Sequence, residues 1–497
     1  MRREIAKGAT WMVLFRLFDR LVGLASTVIL ARLLLPSDFG VVAMAMSVIG
    51  LIELATAFSF EIALIQKPDP KRVHFDTAWT LNVLLAAGGA LVTVALAHPT
   101  AAFYGEPRLA PMMWAIAAAW LVSGFENIGI VEFRRQMDFA REFRFLATKR
   151  CATFLVTLAA AFALRSYWAL VIGMAAGRVF GVLLSYAMHP FRPRPSLAAS
   201  RELFGFSGWM LANNIASAAI GRVPQFFVGR LLGAPALGAY TMGAEIAQLA
   251  YTELVAPISR ALIPGYSRLA GDADALRRIC IDSAAAVMLI VLPASIGLAL
   301  VADPLVRVVL GEKWGEAVPV IQILAFTGIT NGFLSNNAAA YIALGRPYLT
   351  TAVLVTRLTA LALVLMALSF AGRVSLPALA AAEVVATLAA LCVGYPLLFS
   401  ALRIRIGQYL AALWRPLFAS GAMALAVTAA SAVVERDRGF ATALAQLAVG
   451  VGLGVATYAL ALRLLWQLSG RPPGVEVELA RFAVSIYRSV VRRLFVK

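Results

Sequence analysis

Six arginines stand inside long apolar runs: Arg16, Arg20, Arg178, Arg222, Arg260 and Arg357. The same runs hold eight carboxylates, Asp19, Glu53, Glu61, Glu126, Glu245, Glu253, Asp282 and Glu383. A guanidinium stays charged at any physiological pH, and its forked donors match two oxygens of a phosphate at once. Arg16, Asp19, Arg20 and Gly23 follow i, i+3, i+4, i+7 spacing, so one helix face carries them all. Glu53 and Glu61, and again Glu245 and Glu253, are eight residues apart. The chemistry this suits is the gripping of an anionic, phosphate-bearing ligand. Its candidate ligand-binding residues are Arg16, Arg20, Arg222, Arg260 and Arg357. Asp19, Glu53, Glu245 and Glu253 are candidates for counter-ions, the simpler role, or for coupling to H+ or Na+. Neutralisation within Arg16, Asp19 and Arg20 competes with the ligand role. Arg178, between Gly177 and Gly181, is read as pairing locally with another helix.

No other chemistry competes. His74, His98 and His189 are far apart and without metal-ligand spacing. Cys151, Cys280 and Cys392 sit singly in apolar runs and are read as helix-packing residues. There is no phosphate-binding glycine loop, so ATP does not drive this chain directly. A transporter rather than an enzyme is expected, with no metal and no cofactor.

The elements that position these charges follow from composition. Of 497 residues, 61% are hydrophobic and 14% charged, against about 45–50% and 25% in soluble domains. That excludes a soluble enzyme, a disordered chain and a disulfide scaffold, and leaves an all-α polytopic membrane protein. A helix needs about 20 apolar residues to cross the hydrocarbon. Fourteen runs qualify, near residues 9–30, 39–65, 77–97, 109–131, 147–164, 167–188, 204–229, 237–263, 279–301, 319–344, 349–370, 375–399, 416–434 and 440–465. A charge at the bilayer centre costs about 2.5–3.5 kcal/mol on insertion scales, so the arginines should face a hydrated interior or snorkel.

Threading the chain through these runs with the N-terminus in the cytoplasm puts 29 of the 44 lysines and arginines on the inner side and 9 outside, with 6 in helices. That is the asymmetry of the positive-inside rule, and it makes both termini cytoplasmic. The first run is interrupted by Arg16, Asp19 and Arg20, unlike a signal peptide, and is read as a retained helix. The net charge of +18 is spread over inner loops, where membrane lipid heads attract it. Nucleic acid is therefore not an expected partner. Residues 471–497 form a basic amphipathic tail, expected along the inner surface.

A direct repeat runs through the chain. Arg32-Leu33-Leu34-Leu35-Pro36-Ser37-Asp38-Phe39-Gly40 returns as Arg230-Leu231-Leu232-Gly233-Ala234-Pro235-Ala236-Leu237-Gly238, an offset of 198. Gly105-Glu106 returns as Gly311-Glu312 at 206, and Arg165 is echoed by Arg373. Six helices separate the copies, so both enter the membrane in the same direction. The expected organisation is two six-helix lobes in parallel orientation, residues 1–200 and 201–400. Helices 13 and 14 (401–470) and the tail (471–497) follow. Repeats of this kind place a ligand cavity between halves that rock around it.

Beyond this, Arg32 to Gly40, Phe204-Gly205-Phe206-Ser207-Gly208-Trp209 and Gly229-Arg230-Leu231-Leu232-Gly233 through Tyr240 carry a family likeness. So do Pro264-Gly265-Tyr266-Ser267-Arg268-Leu269, Leu310-Gly311-Glu312-Lys313-Trp314 and Ala343-Leu344-Gly345-Arg346-Pro347. Together they resemble the Wzx-type lipid-linked oligosaccharide flippases of the polysaccharide transport family, within the multidrug/oligosaccharidyl-lipid/polysaccharide exporter superfamily. The resemblance implies a cationic cavity between two lobes. It also implies alternating-access transfer of an undecaprenyl-pyrophosphate-linked glycan across the inner membrane, for exopolysaccharide, capsule or O-antigen, with polymerase and chain-length proteins as partners. The family's arginines of helices one and seven fall on Arg16 and Arg222. Where members often carry an acid just after the latter, Val223-Pro224-Gln225 stands here, and Pro224 is expected to kink the helix. The alternatives are a cation-coupled multidrug antiporter of the same superfamily, which favours acidic cavities, and a polysaccharide polymerase or ligase, which needs a longer outer loop.

Overall fold

The computed structural model describes residues 2–56, 58, 60–255, 258, 262, 265, 266, 268, 269, 271–433 and 439–471. Among them the regular structure is helical, with no strand. Lipid offers the backbone no hydrogen-bond partner, so a chain this apolar must satisfy each N–H within its own segment. The first helices are α1 (Arg2–Leu33), α2 (Pro36–Ala55), α3 (Phe60–Gln66), α4 (Arg72–Tyr104), α5 (Leu109–Ser123) and α6 (Val131–Arg135). Then come α7 (Phe139–Leu164), α8 (Trp168–Met188) and α9 (Ser200–Leu249). A π-helical turn, Ala250–Val255, ends this stretch. It is followed by α10 (Ala273–Leu300), α11 (Ala302–Val309), α12 (Ala317–Ala343), α13 (Tyr348–Phe370), α14 (Leu376–Leu402), α15 (Ile406–Val433) and α16 (Phe440–Leu468).

Ten of these helices are long and apolar enough to cross a membrane, or eleven when Leu109–Ser123 and Ile128–Arg135, bent by 64°, count as one span. The protein is thus an integral, multi-pass membrane protein. Fourteen spans are expected from the sequence. Helix α1 falls outside the ten because Arg16, Asp19 and Arg20 interrupt its apolar run. Helix α9 joins two expected spans in one element broken at Gly233 (φ 81°, ψ −176°), a conformation open to glycine. That break lies between the two expected runs, and the angles around Pro224, where a kink is expected, remain helical, since Gly233 alone departs from them inside α9.

The chain divides into two compact units, Met1–Thr241 and Met242–Lys497, where the repeat suggests lobes meeting at 200/201. The first unit retains most of α9 because close backbone approaches tie it to α2. A Cβ on Gly40 would lie 1.7 Å from the Ala234 carbonyl oxygen, and one on Gly238 would lie 1.9 Å from that of Pro36. With the 198-residue offset, these are one contact and its exchanged copy. The two repeated motifs meet glycine to carbonyl, reciprocally.

Within the first unit, Trp11, Phe15 and Phe18 of α1 surround Phe143 of α7. Helices α7 and α8 pack through glycines: Gly173, Gly177 and Gly181 face Thr157, Thr153 and Lys149, with ideal Cβ positions 2.0–2.7 Å from those side chains. Small residues four apart let two helices approach in a membrane. The segment Arg141 to Leu146, between the expected runs 109–131 and 147–164, is helical in α7, started by Asp138, whose carboxylate accepts the Arg141 N–H at 3.1 Å.

The second unit has a tyrosine-rich core. Tyr266 donates to Asn336 at 2.7 Å, Asn336 donates to the Cys280 carbonyl at 3.1 Å, and Tyr341 donates to the Gly394 carbonyl at 2.6 Å. Of the three cysteines only Cys280 is buried. Cys151 and Cys392 stand on exposed helix faces, so packing does not explain them. The stretch 302–318, between the expected runs 279–301 and 319–344, contains α11 and a short 3-10 turn that buries Trp314. The amphipathic tail lies outside the described residues apart from Arg471.

Candidate functional site

Helix α2 is the element on which the first unit's polar interior is built. Pro36 stands at its first turn, where a missing N–H costs nothing. The Asp38 carboxylate accepts the Leu35 N–H at 2.9 Å and the Tyr167 N–H at 3.1 Å. The repeated motif is therefore a helix start that also anchors the α7–α8 turn. Further along α2, Ser47 shares a hydrogen bond with Tyr104 at 2.9 Å, and the Tyr104 ring stacks on Phe226 of α9. Gly50 then leaves room for Arg222, since a Cβ there would lie 2.8 Å from the Arg222 Nη2. Arg222 donates to Gln225 Oε1 at 3.1 Å and makes no ion pair among the described residues.

One turn beyond Gly50, Glu53 pairs with Arg178 of α8 at 2.5 Å. The guanidinium lies 6.0 Å from the centre of the Trp120 ring, which itself rests on Gly89 of α4. Close by, Lys149 of α7 pairs with Glu126 at 3.1 Å. These two pairs line a cavity of about 500 Å³ that Glu61, Asn82, Trp120 and Asn127 complete.

The cavity sits where helices stop. Helix α2 ends at Ala55, and α5 ends at Ser123 before the bend into Ile128–Arg135. Asn127 holds the bend. Its side chain accepts the Gly129 N–H and donates to the Phe191 carbonyl at 2.8 Å, and its own N–H donates to Ser185 at 2.9 Å. Irregular backbone at membrane depth is tolerated only when buried in protein or lining a wet cavity, and here Asn127 is buried and lines a cavity with polar walls. At the cavity's edge Arg134 lies 3.5 Å from Glu61 and also pairs closely with Glu142.

The sequence candidates distribute as follows. Arg16 is exposed and Arg20 half-buried on α1. Asp19 pairs with Arg150 of α7 at 2.9 Å. Glu53 lies on the cavity wall, and Arg222 of α9 lies against Gly50, one turn earlier on α2. Arg357, in the second unit, donates to Asn331 at 3.2 Å. Glu245 and Glu253 are exposed near the end of α9 and in the π-turn. Arg260 is outside the described residues. The structure thus gathers Glu53 and Arg222 around α2. It adds four residues not on the candidate list, Arg178, Lys149, Glu126 and Trp120. The pairing of Arg178 with another helix is as its glycine neighbours suggest. Lys149 carried a readable signal too, being four and eight residues before Thr153 and Thr157 on the face that meets the glycines. No cluster of side chains among the described residues could hold a metal.

Comparison with known proteins assigns the chain. A family model described as polysaccharide biosynthesis protein matches residues 29–319, and the chain belongs to that family. It is 25% identical over 337 residues to the lipopolysaccharide biosynthesis protein WzxC of Escherichia coli K12, covering 66% of this chain and 68% of that one. It is 23% identical over 351 residues to the teichuronic acid biosynthesis protein TuaB of Bacillus subtilis 168, covering 69% and 72%. In fold it is similar to the lipid II flippase MurJ in an inward closed conformation, with a TM-score of 0.71 and 10% identity over 92% of this chain and 98% of that one.

Proposed function

We propose that this member of the polysaccharide biosynthesis family is a flippase. It moves an undecaprenyl-pyrophosphate-linked oligosaccharide across the inner membrane by alternating access, for assembly of a surface polysaccharide. The chain crosses the membrane fourteen times as two six-helix repeats and two further helices, with both termini cytoplasmic. Polymerase and chain-length proteins consume what it delivers. The reciprocal Gly40 and Gly238 contacts support the repeat, and the family match supports the cargo class.

The observation that carries the ligand chemistry is the state of Arg222. Its neighbour is the neutral Gln225, and among the described residues no carboxylate forms an ion pair with it, whereas Arg178 and Arg150 each have one. A guanidinium in that state suits a diphosphate, whose two oxygens match its fork. In this reading Arg16, Arg20, Arg260 and Arg357 also serve the anionic cargo. Glu53 and Asp19 are counter-ions, and coupling to H+ or Na+ falls to Glu245 or Glu253.

The test is complementation of a strain lacking the gene. The wild-type chain should restore surface polysaccharide, and Arg222→Ala should reach the membrane yet leave lipid-linked oligosaccharide accumulating inside. Arg222→Lys should fall well short of wild type, because an ammonium lacks the two-oxygen fork. Full export by Arg222→Ala would remove the assignment. Efflux of organic cations without any polysaccharide defect would favour the multidrug antiporter.

A further inference from the structure

The second unit holds two adjoining cavities of opposite character. The first, about 560 Å³, is a trough between α10, α15 and α16. Its walls are apolar, and its one hydroxyl, on Tyr458, is spent on the Leu289 carbonyl at 2.7 Å. Glycines hollow it. A Cβ on Gly450 would lie 3.0 Å from Val301, and one on Gly454 would lie 3.4 Å from Val427. From Tyr458 to Gly450 the trough follows α16 for about 12 Å by helical rise. Val451 and Val455, which also line it, are exposed on the helix surface.

The second cavity, about 340 Å³, shares Val301, Val427 and Gly450 with the first. Its polar groups are Asp303, Arg307, Gln322, Ser431 and Gln446. Arg307 and Asp303 form a two-point pair, Nη2 to Oδ2 at 2.7 Å and Nε to Oδ1 at 3.2 Å. Both side chains remain partly exposed, and they are the only charged groups on this wall among the described residues.

We propose that the two cavities together form a phospholipid site, with one acyl chain in the glycine-lined trough and a zwitterionic headgroup, phosphatidylethanolamine, on the Asp303–Arg307 pair. The apolar lining of the trough offers water almost no hydrogen-bond partner and suits an acyl chain instead. A chain reaching it from the bilayer places its headgroup where the trough turns polar. That end carries one cation and one anion, so an anionic headgroup meets attraction and repulsion together. Phosphatidylethanolamine satisfies both: its phosphate takes the outer donors of Arg307, and its ammonium N–H groups reach the open side of Asp303 and the Gln446 amide. Phosphatidylcholine has the same charges without N–H donors, which isolates the role of Asp303.

The experiment is native mass spectrometry of the full chain released from mixed nanodiscs holding equal phosphatidylethanolamine, phosphatidylglycerol and phosphatidylcholine. One retained phosphatidylethanolamine is expected, at least fivefold over either competitor. Asp303→Asn should bring phosphatidylethanolamine down to the level of phosphatidylcholine. Arg307→Gln should lose both zwitterionic lipids. Gly454→Leu, which fills the trough, should lose all three, and the two charge variants keep the test intact if that variant does not fold. Equal retention of the three lipids, preference for phosphatidylglycerol, or an unchanged pattern in both charge variants would each overturn the proposal. So would retention of undecaprenyl phosphate in their place.

Discussion

Turning Gln225 into Glu adds one charge at a defined place. Arg222 Nη1 already lies 3.1 Å from Gln225 Oε1, so Gln225→Glu needs no rearrangement to form an ion pair. Two unit charges at 4 Å attract by about 4 kcal/mol at an effective dielectric of 20. Exposed pairs yield about 0.2–1 kcal/mol once side-chain ordering and screening are counted. Arg222 is half-buried, so a net pairing of about 1–2 kcal/mol is reasonable. A phosphate ligand must displace that pairing, which lowers its affinity by about five- to thirtyfold. Export measured at limiting flippase levels should fall accordingly, with the lipid-linked precursor accumulating behind it. Gln225→Leu removes the hydrogen bond without adding charge and should stay close to wild type. Wild-type export by Gln225→Glu, with Arg222→Ala inactive, would refute the idea that an uncompensated guanidinium grips the cargo.

Other substitutions probe the frame around that site and the loops beyond it. Gly40→Ala and Gly238→Ala each drive a Cβ to within 2 Å of a carbonyl, so each should cost about 1–3 kcal/mol or more in thermal unfolding. Because they open one shared contact, the double variant should lose less than the sum; additive losses would show two independent contacts. Glu53→Gln strands the Arg178 charge and should lower stability by about 1–3 kcal/mol, discounted from the fully buried case because both groups are partly exposed. Adding Arg178→Gln should recover part of that loss, and no recovery would mean that the pair is not the cause. Outside the spans, hydrogen bonds from the Arg108 side chain hold the Glu106 carboxyl below its ordinary 4.5. A carboxyl depressed by folding contributes stability above that value and loses it as pH falls through the folded pKa. Unfolding temperatures should therefore drop more steeply below about pH 4.5 in the wild type than in Glu106→Gln.

Legibility in the sequence followed the range of the forces involved. The split of α9 was readable between the runs 204–229 and 237–263, because a turn motif separates them. Its location followed too, since Gly233 lies between those runs, while the helical angles continue through Pro224. A proline can ride within a helix whose freed carbonyl finds another partner, whereas a φ of 81° is open to few residues besides glycine. Lys149 stands among Arg141, Arg144 and Arg150 near the start of the run 147–164, and helix α7 carries it to Glu126. The glycine spacing on α8 was visible. Lys149, Thr153 and Thr157 share one face of α7 by their spacing, but that this face meets the α8 glycines was not visible.

What the chain determined by itself is its class and its local grammar. Apolar run length set against bilayer thickness makes helices that span, and the Arg-Leu-Leu motif with its later glycine marks two equivalent helix starts. Those properties depend on residues within a few turns of one another. Tertiary structure alone decided which charge meets which. Glu53 finds Arg178 across 125 residues and Asp19 finds Arg150, while Arg222 is left beside an amide. Helical spacing says which face a side chain occupies, but which helix lies opposite is settled by packing along the whole chain.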